Sequence, residues 1–379
     1  MGQSYEIYDF GLMDRPNFFL TKVLQKYRFF QRWDGDAFAY ISVRDSRTIL
    51  GQYNLSGKID QLVQDGYIET RTIGTTRFNH PTVAYIPLVT EYKRTYDSAY
   101  FIYKYYDDKY STLSIYGKEI VRGLRSTKIL IPDWTNIFQE CFAAYQAKGG
   151  NKSFSDYVSN LGWLQEEVEF FNNATNYTDY VQEDLFGHRV HSIISQLPRP
   201  MRKHVFIGGY PTVEVDLSQS QPMILAKYLE DKIGDNSFSR AVHSMDIYSF
   251  IQGELGLLNR ELAKKILFRM IFGPSDTYMA KEFYHLFPDT KDFVMRLKSD
   301  IDTNNPSKKI YSNLAFKMQR TETDLFRIVW SKLMANRIPY LSIHDGLLVK
   351  IEDAERVKDY MTDILTRHLG PSAVVNIKM

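Results

Sequence analysis

Two aspartates sit where their surroundings make a charge expensive. Asp216 lies inside "VEVDLSQSQPMILA", residues 213–226, whose apolar pattern reads as a buried strand running into a helix. Asp345 lies inside "IPYLSIHDGLLVK", residues 338–350, where two strand-like runs flank His344-Asp345-Gly346 as a tight hairpin. A carboxylate at the end of an apolar strand is costly unless something positive lies against it. Taken alone, Asp345 is an ordinary turn aspartate. Brought together, the two repel unless they share divalent cations. Two such ions can activate a 3′-hydroxyl and clamp a leaving pyrophosphate.

A second pattern is cationic and aromatic. In "LNRELAKKILFRMIFGPS", residues 258–275, Asn259 is a good helix N-cap and Gly273-Pro274 a good stop. Between them Arg260, Lys264, Phe268 and Phe272 recur every four residues. At roughly 100° per residue each step drifts by about 40°, so the four form one stripe. Two cations followed by two aromatic faces suit a nucleoside triphosphate, with phosphates on Arg260 and Lys264 and the base toward Phe268 and Phe272. The alternative is an amphipathic helix with its apolar side in the core. A third pattern is "RVHSIISQLPRPMRKHVF", residues 189–206, which carries Arg189, Arg199, Arg202 and Lys203 and no acid. It reads either as a solvated loop or as a phosphate-contacting segment.

These side chains need a frame, and 379 residues are enough for two or three domains with real cores. Within residues 46–86, Ile59, Leu62 and Val63 have helical spacing and Gly66 follows as a stop. Two strand-like runs then follow, Tyr67 to Ile73 and Thr82 to Ile86, joined by a loop containing Gly74. Helix, turn, helix and a two-stranded wing resemble a winged helix, a form used both for DNA binding and for protein contacts. Residues 90–180 read as mostly helical and Tyr-rich, broken near "AKGGNKS", with no evident chemistry.

Net charge is only +2, so any nucleic-acid contact must come from local basic stretches. Aromatic residues reach 15%, with 27 Tyr and 24 Phe, which reads either as core packing or, given a specific site, as rings on which bases stack. The single cysteine, Cys141, excludes an internal disulfide and a Cys-based metal cluster. The start of the chain has no basic segment followed by an apolar run, and Glu6 stands where a myristoylation motif wants Ser or Thr. No apolar run approaches the roughly 20 residues that cross a bilayer. The expectation is a cytoplasmic protein with no membrane partner.

Taken in order, the motifs resemble the palm and fingers of family A DNA polymerases and the related single-subunit phage-type RNA polymerases. "DLSQSQPMILA" is similar to the first palm motif, with Asp216, Ser218, Gln219 and Ala226 falling on it. "RELAKKILFRMIFG" resembles the fingers helix, and "SIHDGLLV" the His-Asp motif of the second catalytic strand. "MQRTETDL", residues 318–325, is similar to a helix whose glutamine touches the duplex, a role that falls to Gln319. "DLFGHRVHS", residues 184–192, resembles a Gly-Arg segment that puts Arg189 on the nucleic-acid backbone or minor groove. The resemblance covers residues 184–379.

It implies an α+β, right-hand polymerase: an antiparallel palm sheet with helical fingers and thumb, plus the winged-helix-like module. The boundaries expected are 1–90 for that module, 91–183 for a helical thumb-like region and 184–379 for the palm and fingers core. Two Mg²⁺ or Mn²⁺ ions would be held by Asp216 and Asp345, with the Leu217 carbonyl a further ligand. Arg260 and Lys264 would bind the triphosphate, Lys264 protonating the pyrophosphate. Phe268, Phe272 and Gln221 would line the nucleotide site, and Arg189, Gln319, His344, Arg202 and Lys203 would contact nucleic acid. Partners would be template, primer and nucleoside triphosphates, with an accessory subunit to complete a small thumb, in a phage, plasmid or other mobile-element setting.

The departures bear on the substrate. Gln221 stands where the DNA enzymes place a sugar-blocking glutamate, Phe272 replaces a usual tyrosine, and Gly346 follows His344-Asp345 where a glutamate is usual. Ser218-Gln219 favours DNA synthesis, while Gln221 and Phe272 favour an RNA polymerase or primer-making enzyme. A non-catalytic DNA-binding replication protein with a decayed polymerase body is the reading from another class. No acidic motifs of a proofreading exonuclease are found upstream.

Overall fold

The computed structural model describes residues 55–75, 81–87 and 100–378 apart from 160, 175, 301 and 308, together with positions 19, 20, 23 and 50. The chain divides into two compact units, Met1–Thr112 and Leu113–Met379. In the first, helix α1 (Leu55–Gln64) is followed by the antiparallel strands β1 (Ile68–Thr75) and β2 (Pro81–Pro87) and by helix α2 (Tyr100–Thr112). α1 buries Leu62, and Gly66, at φ 77°, turns the chain into β1 in a conformation that side chains resist. Gly74, expected in the loop, belongs to β1. The helix expected ahead of α1 lies outside the described residues, and a helix with a ribbon does not by itself confirm a winged helix.

The second unit mixes helices with an antiparallel sheet. It opens with α3 (Ile115–Arg125), β3 (Thr127–Ile129), α4 (Trp134–Ala147), α5 (Phe154–Ser159) and α6 (Gly162–Asn172). The break between α4 and α5 falls on the expected Gly-Gly segment. A small ribbon, β4 (Val181–Glu183) with β5 (Val190–Ser192), precedes β6 (Val205–Ile207) and β7 (Tyr210–Leu217). Helices α7 (Ser220–Ile233), α8 (Ser237–Ser244), α9 (Ile247–Glu254), α10 (Arg260–Phe272), α11 (Tyr278–Leu286), α12 (Lys291–Ser299) and α13 (Asn313–Ala335) follow. The hairpin β8 (Tyr340–Ile343) and β9 (Gly346–Lys350), helix α14 (Ala354–Leu369) and β10 (Val375–Lys378) complete the unit.

The sheet has six strands, ordered β3-β6-β7-β9-β8, with β10 paired to β7. β7 is its axis. One edge of β7 carries β6 at its start and β10 at its end, and the other edge carries β9. Because side chains alternate along a strand, Val213, Val215 and Leu217 go to one face and are buried. Thr212, Glu214 and Asp216 go to the other face, so the same alternation that builds the core aims Asp216 away from it. β3 was not anticipated in the sequence: it comes from the stretch read as helical and is too short, at three residues, to show a period.

α10 is anchored at both ends. Asn259 caps its start by accepting from Leu262 N–H at 2.8 Å. At its end the buried Lys298 of α12 donates to the carbonyls of Met270 (2.7 Å) and Gly273 (3.0 Å), which otherwise have no helical partner. Burial pushes the Lys298 ammonium down to a pKa of about 8.

Candidate active site

Asp216 and Asp345 arrive together because β7 and β9 pair. Asp216 stands opposite Gly346, and Leu217 N–H donates to the Asp345 carbonyl at 3.1 Å. Gly346 is required by that approach: a Cβ there would lie 2.9 Å from the Asp216 Cβ and 3.2 Å from the Val215 carbonyl oxygen. The glutamate usual at this position in the resembled family has no room here.

The backbone around the two aspartates is strained. Among the described residues, the non-glycine positions with positive φ are His188, Gln219, His344 and Arg337. The first adjoins Arg189, the second follows Asp216 by three positions, and the third precedes Asp345. Left-handed backbone costs a non-glycine residue about 1–2 kcal/mol, so the surrounding packing must hold it. Part of that hold at Gln219 is its side chain, which accepts from Ile247 N–H at 2.7 Å and fixes the start of α9.

Charge is crowded at this face. Burial, reinforced by Glu322 and Asp216, pushes the Asp345 carboxyl up to about 6. Burial also raises Asp216, against the pull of Lys378, whose ammonium donates to Asp216 Oδ2. The other oxygen, Oδ1, is buried without a hydrogen-bond partner. Glu322, on α13, accepts from Ser220 Oγ at 2.6 Å and from the Arg189 guanidinium. Glu214 pairs with Arg202 at 3.1 Å. Asp345 alone of these carboxylates has no ion pair among the described residues; Lys264 is near enough only to lower its pKa slightly.

This donor set fits a hard divalent cation, since it offers carboxylate oxygens, one of them orphaned, in a site that disfavours two bare charges. Asp216 and Asp345 are the residues that would hold it. Among the described residues no group of three or more His, Cys, Asp or Glu side chains is gathered to hold an ion.

The remaining expected residues are placed as follows. Arg260 forms a bidentate pair with Asp246 (2.8 and 2.7 Å) and lies 4.8 Å above the Tyr248 ring. Lys264 is exposed, 5.9 Å from Tyr248 and 6.0 Å from Phe268, and Phe268 stacks on Phe272 at 5.6 Å. The stripe is thus continuous. It is not the core side of α10, which is Ala263, Ile266, Leu267, Met270 and Ile271. Gln221 is buried on α7, with neither amide atom hydrogen-bonded. Gln319 lies against Gly187, where a Cβ would meet its Oε1 at 2.8 Å. Arg189 is drawn inward to Glu322, Arg202 is half-buried on Glu214 and Leu197, and Lys203 is exposed. His344 is half-buried, packs on the His191 ring at 5.3 Å, and is pushed down to about 4 by burial and by Arg189.

Sequence reasoning missed Glu322, Lys378, Asp246 and Tyr248. Glu322 had a signal: it occupies the buried helical spacing of Met318, Leu325, Phe326 and Val329, where an acid needs a reason. Tyr248 and Asp246 follow from no spacing that was read, and Lys378 belongs to a strand too short to stand out.

No family model and no curated protein matches the chain. Solved structures that it resembles include the POL domain of Pol1 from M. smegmatis in complex with DNA primer-template and dNTP. That likeness is distant, with 11% identity and a TM-score of 0.40 over 72% of this chain and 67% of that one. No described helix is long and apolar enough to cross a membrane.

Proposed function

We propose that the chain is a template-directed nucleotidyltransferase, with DNA synthesis the first choice. One observation carries the reading: paired strands bring Asp216 and Asp345 together, Asp345 with no ion pair among the described residues and Asp216 with one oxygen buried and unpartnered. That Asp345 has no ion pair among the described residues argues against a merely structural role. In this reading residues 184–379 are the palm and fingers, 91–183 the thumb-like region and 1–90 an accessory module.

Asp216 and Asp345 hold the metal, and the Leu217 carbonyl is a further oxygen donor. When bound, two Mg²⁺ or Mn²⁺ ions supply activation of a primer 3′-hydroxyl and neutralise the pyrophosphate that leaves. The exposed Lys264 receives the triphosphate, where it can deliver a proton to the leaving group. Arg260 joins it by exchanging its Asp246 partner for phosphate. Phe268 packs on the sugar or base and Phe272 supports the templating pair. Gln319, His344, Arg202 and Lys203 contact primer and template, and Arg189 does so through its place beside Gly187.

A second reading, synthesis of RNA or of primers, is favoured by Gln221. Its amide is buried and unpaired, with a donor and an acceptor free to meet a 2′-hydroxyl. The test is extension of a labelled primer with Mg²⁺ and dNTPs or rNTPs in separate tubes. Wild type is expected to extend with dNTPs, and Asp345→Asn to lose extension while still binding the duplex. Extension with rNTPs alone would select the second reading, and full activity in Asp345→Asn would overturn both.

A further inference from the structure

Lys378 blocks the carboxylate that the proposed reaction needs. In register, β10 sets Asn376 opposite Asp216 and Lys378 opposite Glu214, all on the face away from the core. Glu214 is already taken by Arg202, so the Lys378 ammonium reaches along the strand to Asp216 Oδ2. The other Asp216 oxygen is buried and faces no solvent. In this arrangement neither oxygen of Asp216 is open to an ion arriving from water. The two partners differ in freedom: the Lys378 side chain is 33% exposed and that of Asp216 only 10%. The lysine can swing into water on its flexible stem, whereas the aspartate is fixed in the sheet. Asn376, one position inward on the same face, donates to Ser218 Oγ at 2.5 Å and keeps β10 in place while Lys378 moves.

We propose that Lys378 is a resident counter-ion, a latch that holds the metal-free site closed and is displaced when a divalent cation binds Asp216. The inference rests on the reading of Asp216 as a metal ligand. Without the latch, the site at rest would present Asp216, Asp345 and Glu322 with Arg189 bonded to Glu322 and with Arg199 and Lys264 acting on the aspartates without an ion pair, a repulsion that the fold would have to carry. With it, metal binding becomes an exchange of one cation for another on the same oxygen. The exchange lowers the apparent metal affinity by the strength of the ammonium–carboxylate pair. For a partly exposed pair that strength corresponds to a factor of roughly 2–5.

The test measures Mn²⁺ affinity, by the electron paramagnetic resonance signal of free Mn²⁺, on the full chain with no nucleic acid. Wild type, Lys378→Met and Lys378→Arg are compared, and melting temperature is read with and without Mn²⁺. Lys378→Met is expected to bind Mn²⁺ about 2–5-fold more tightly and to gain more from Mn²⁺ in melting temperature. Lys378→Arg keeps the charge and the fold and forks onto the carboxylate, so it is expected to bind Mn²⁺ no better than wild type. Equal or weaker affinity in Lys378→Met, with wild type still binding, would overturn the latch and leave the metal reading standing. Mn²⁺ binding by none of the three would overturn the metal reading itself, and the latch with it.

Discussion

The carboxylate face of β7 and the exposed stripe of α10 both carry charge, yet they are built on opposite terms. On α10 the charges are satisfied or solvated. Arg260 is clamped by Asp246, Lys264 stands in water, the start is capped by Asn259 and the end is closed by Lys298. Around Asp216 and Asp345 the reverse holds. There are orphaned atoms on Asp216, Gln221 and His344, left-handed backbone at Gln219 and His344, and a carboxyl raised to about 6. The difference teaches where to look for chemistry. A helix can lend charged side chains to a ligand at little cost to itself, but a site that must hold metal stores its cost in the resting fold.

The comparison breaks most visibly at Asp345. Asp345→Asn is expected to reduce primer extension by roughly a thousandfold or more, since it removes a ligand from the reacting centre. The same change should stabilise the fold. Its folded pKa of about 6 lies above the 3.8 of the free group, so the folded chain holds that proton more tightly between those values. Stability therefore falls as pH rises through that window. At pH 7 the asparagine variant should gain about 1–2 kcal/mol, and urea melts at pH 4 and pH 7 should show a smaller loss of stability with rising pH than in the wild type. A destabilised Asp345→Asn would remove the claim of stored cost.

Glu322→Ala comes next. It strands the Arg189 guanidinium and Ser220 in a buried setting and should cost about 3–5 kcal/mol by chemical denaturation. Gly346→Ala forces β9 away from Asp216 and should cost about 1–3 kcal/mol while weakening Mn²⁺ binding. Arg260→Met tests the other side of the comparison. Its pair with Asp246 is exposed, so stability should change by less than about 1 kcal/mol, while KM for the nucleotide rises. A large loss of stability in that variant would place α10 on the same terms as the sheet.

The sequence made β7 and the β8–β9 hairpin readable because each combines apolar runs with a carboxylate. Asp216 in β7 violates its apolar surroundings, which is visible without a structure, whereas Asp345 in the β8–β9 turn stands out only beside Asp216. The span of α10 was equally readable, since Asn259 and Gly273 bracket it and both caps form. What stayed hidden was long-range pairing. β3 and β10 have three and four residues, too few for a period, and join the sheet from far along the chain. Lys378 and Glu322 reach the site only through such pairing or through a helix facing inward. Asp246, the N-cap of α9, holds Arg260 at the start of α10, a contact that the stripe pattern on α10 alone cannot reveal.

The claim that Asp216 and Asp345 hold metal is tested most directly by replacing it with Fe²⁺. With ascorbate and peroxide, bound Fe²⁺ makes hydroxyl radicals that cut the backbone nearest to it. The account predicts cuts clustered beside residues 216 and 345, suppressed by excess Mg²⁺ and lost in Asp345→Asn. Cuts that fall elsewhere, or that persist unchanged in Asp345→Asn, would contradict it.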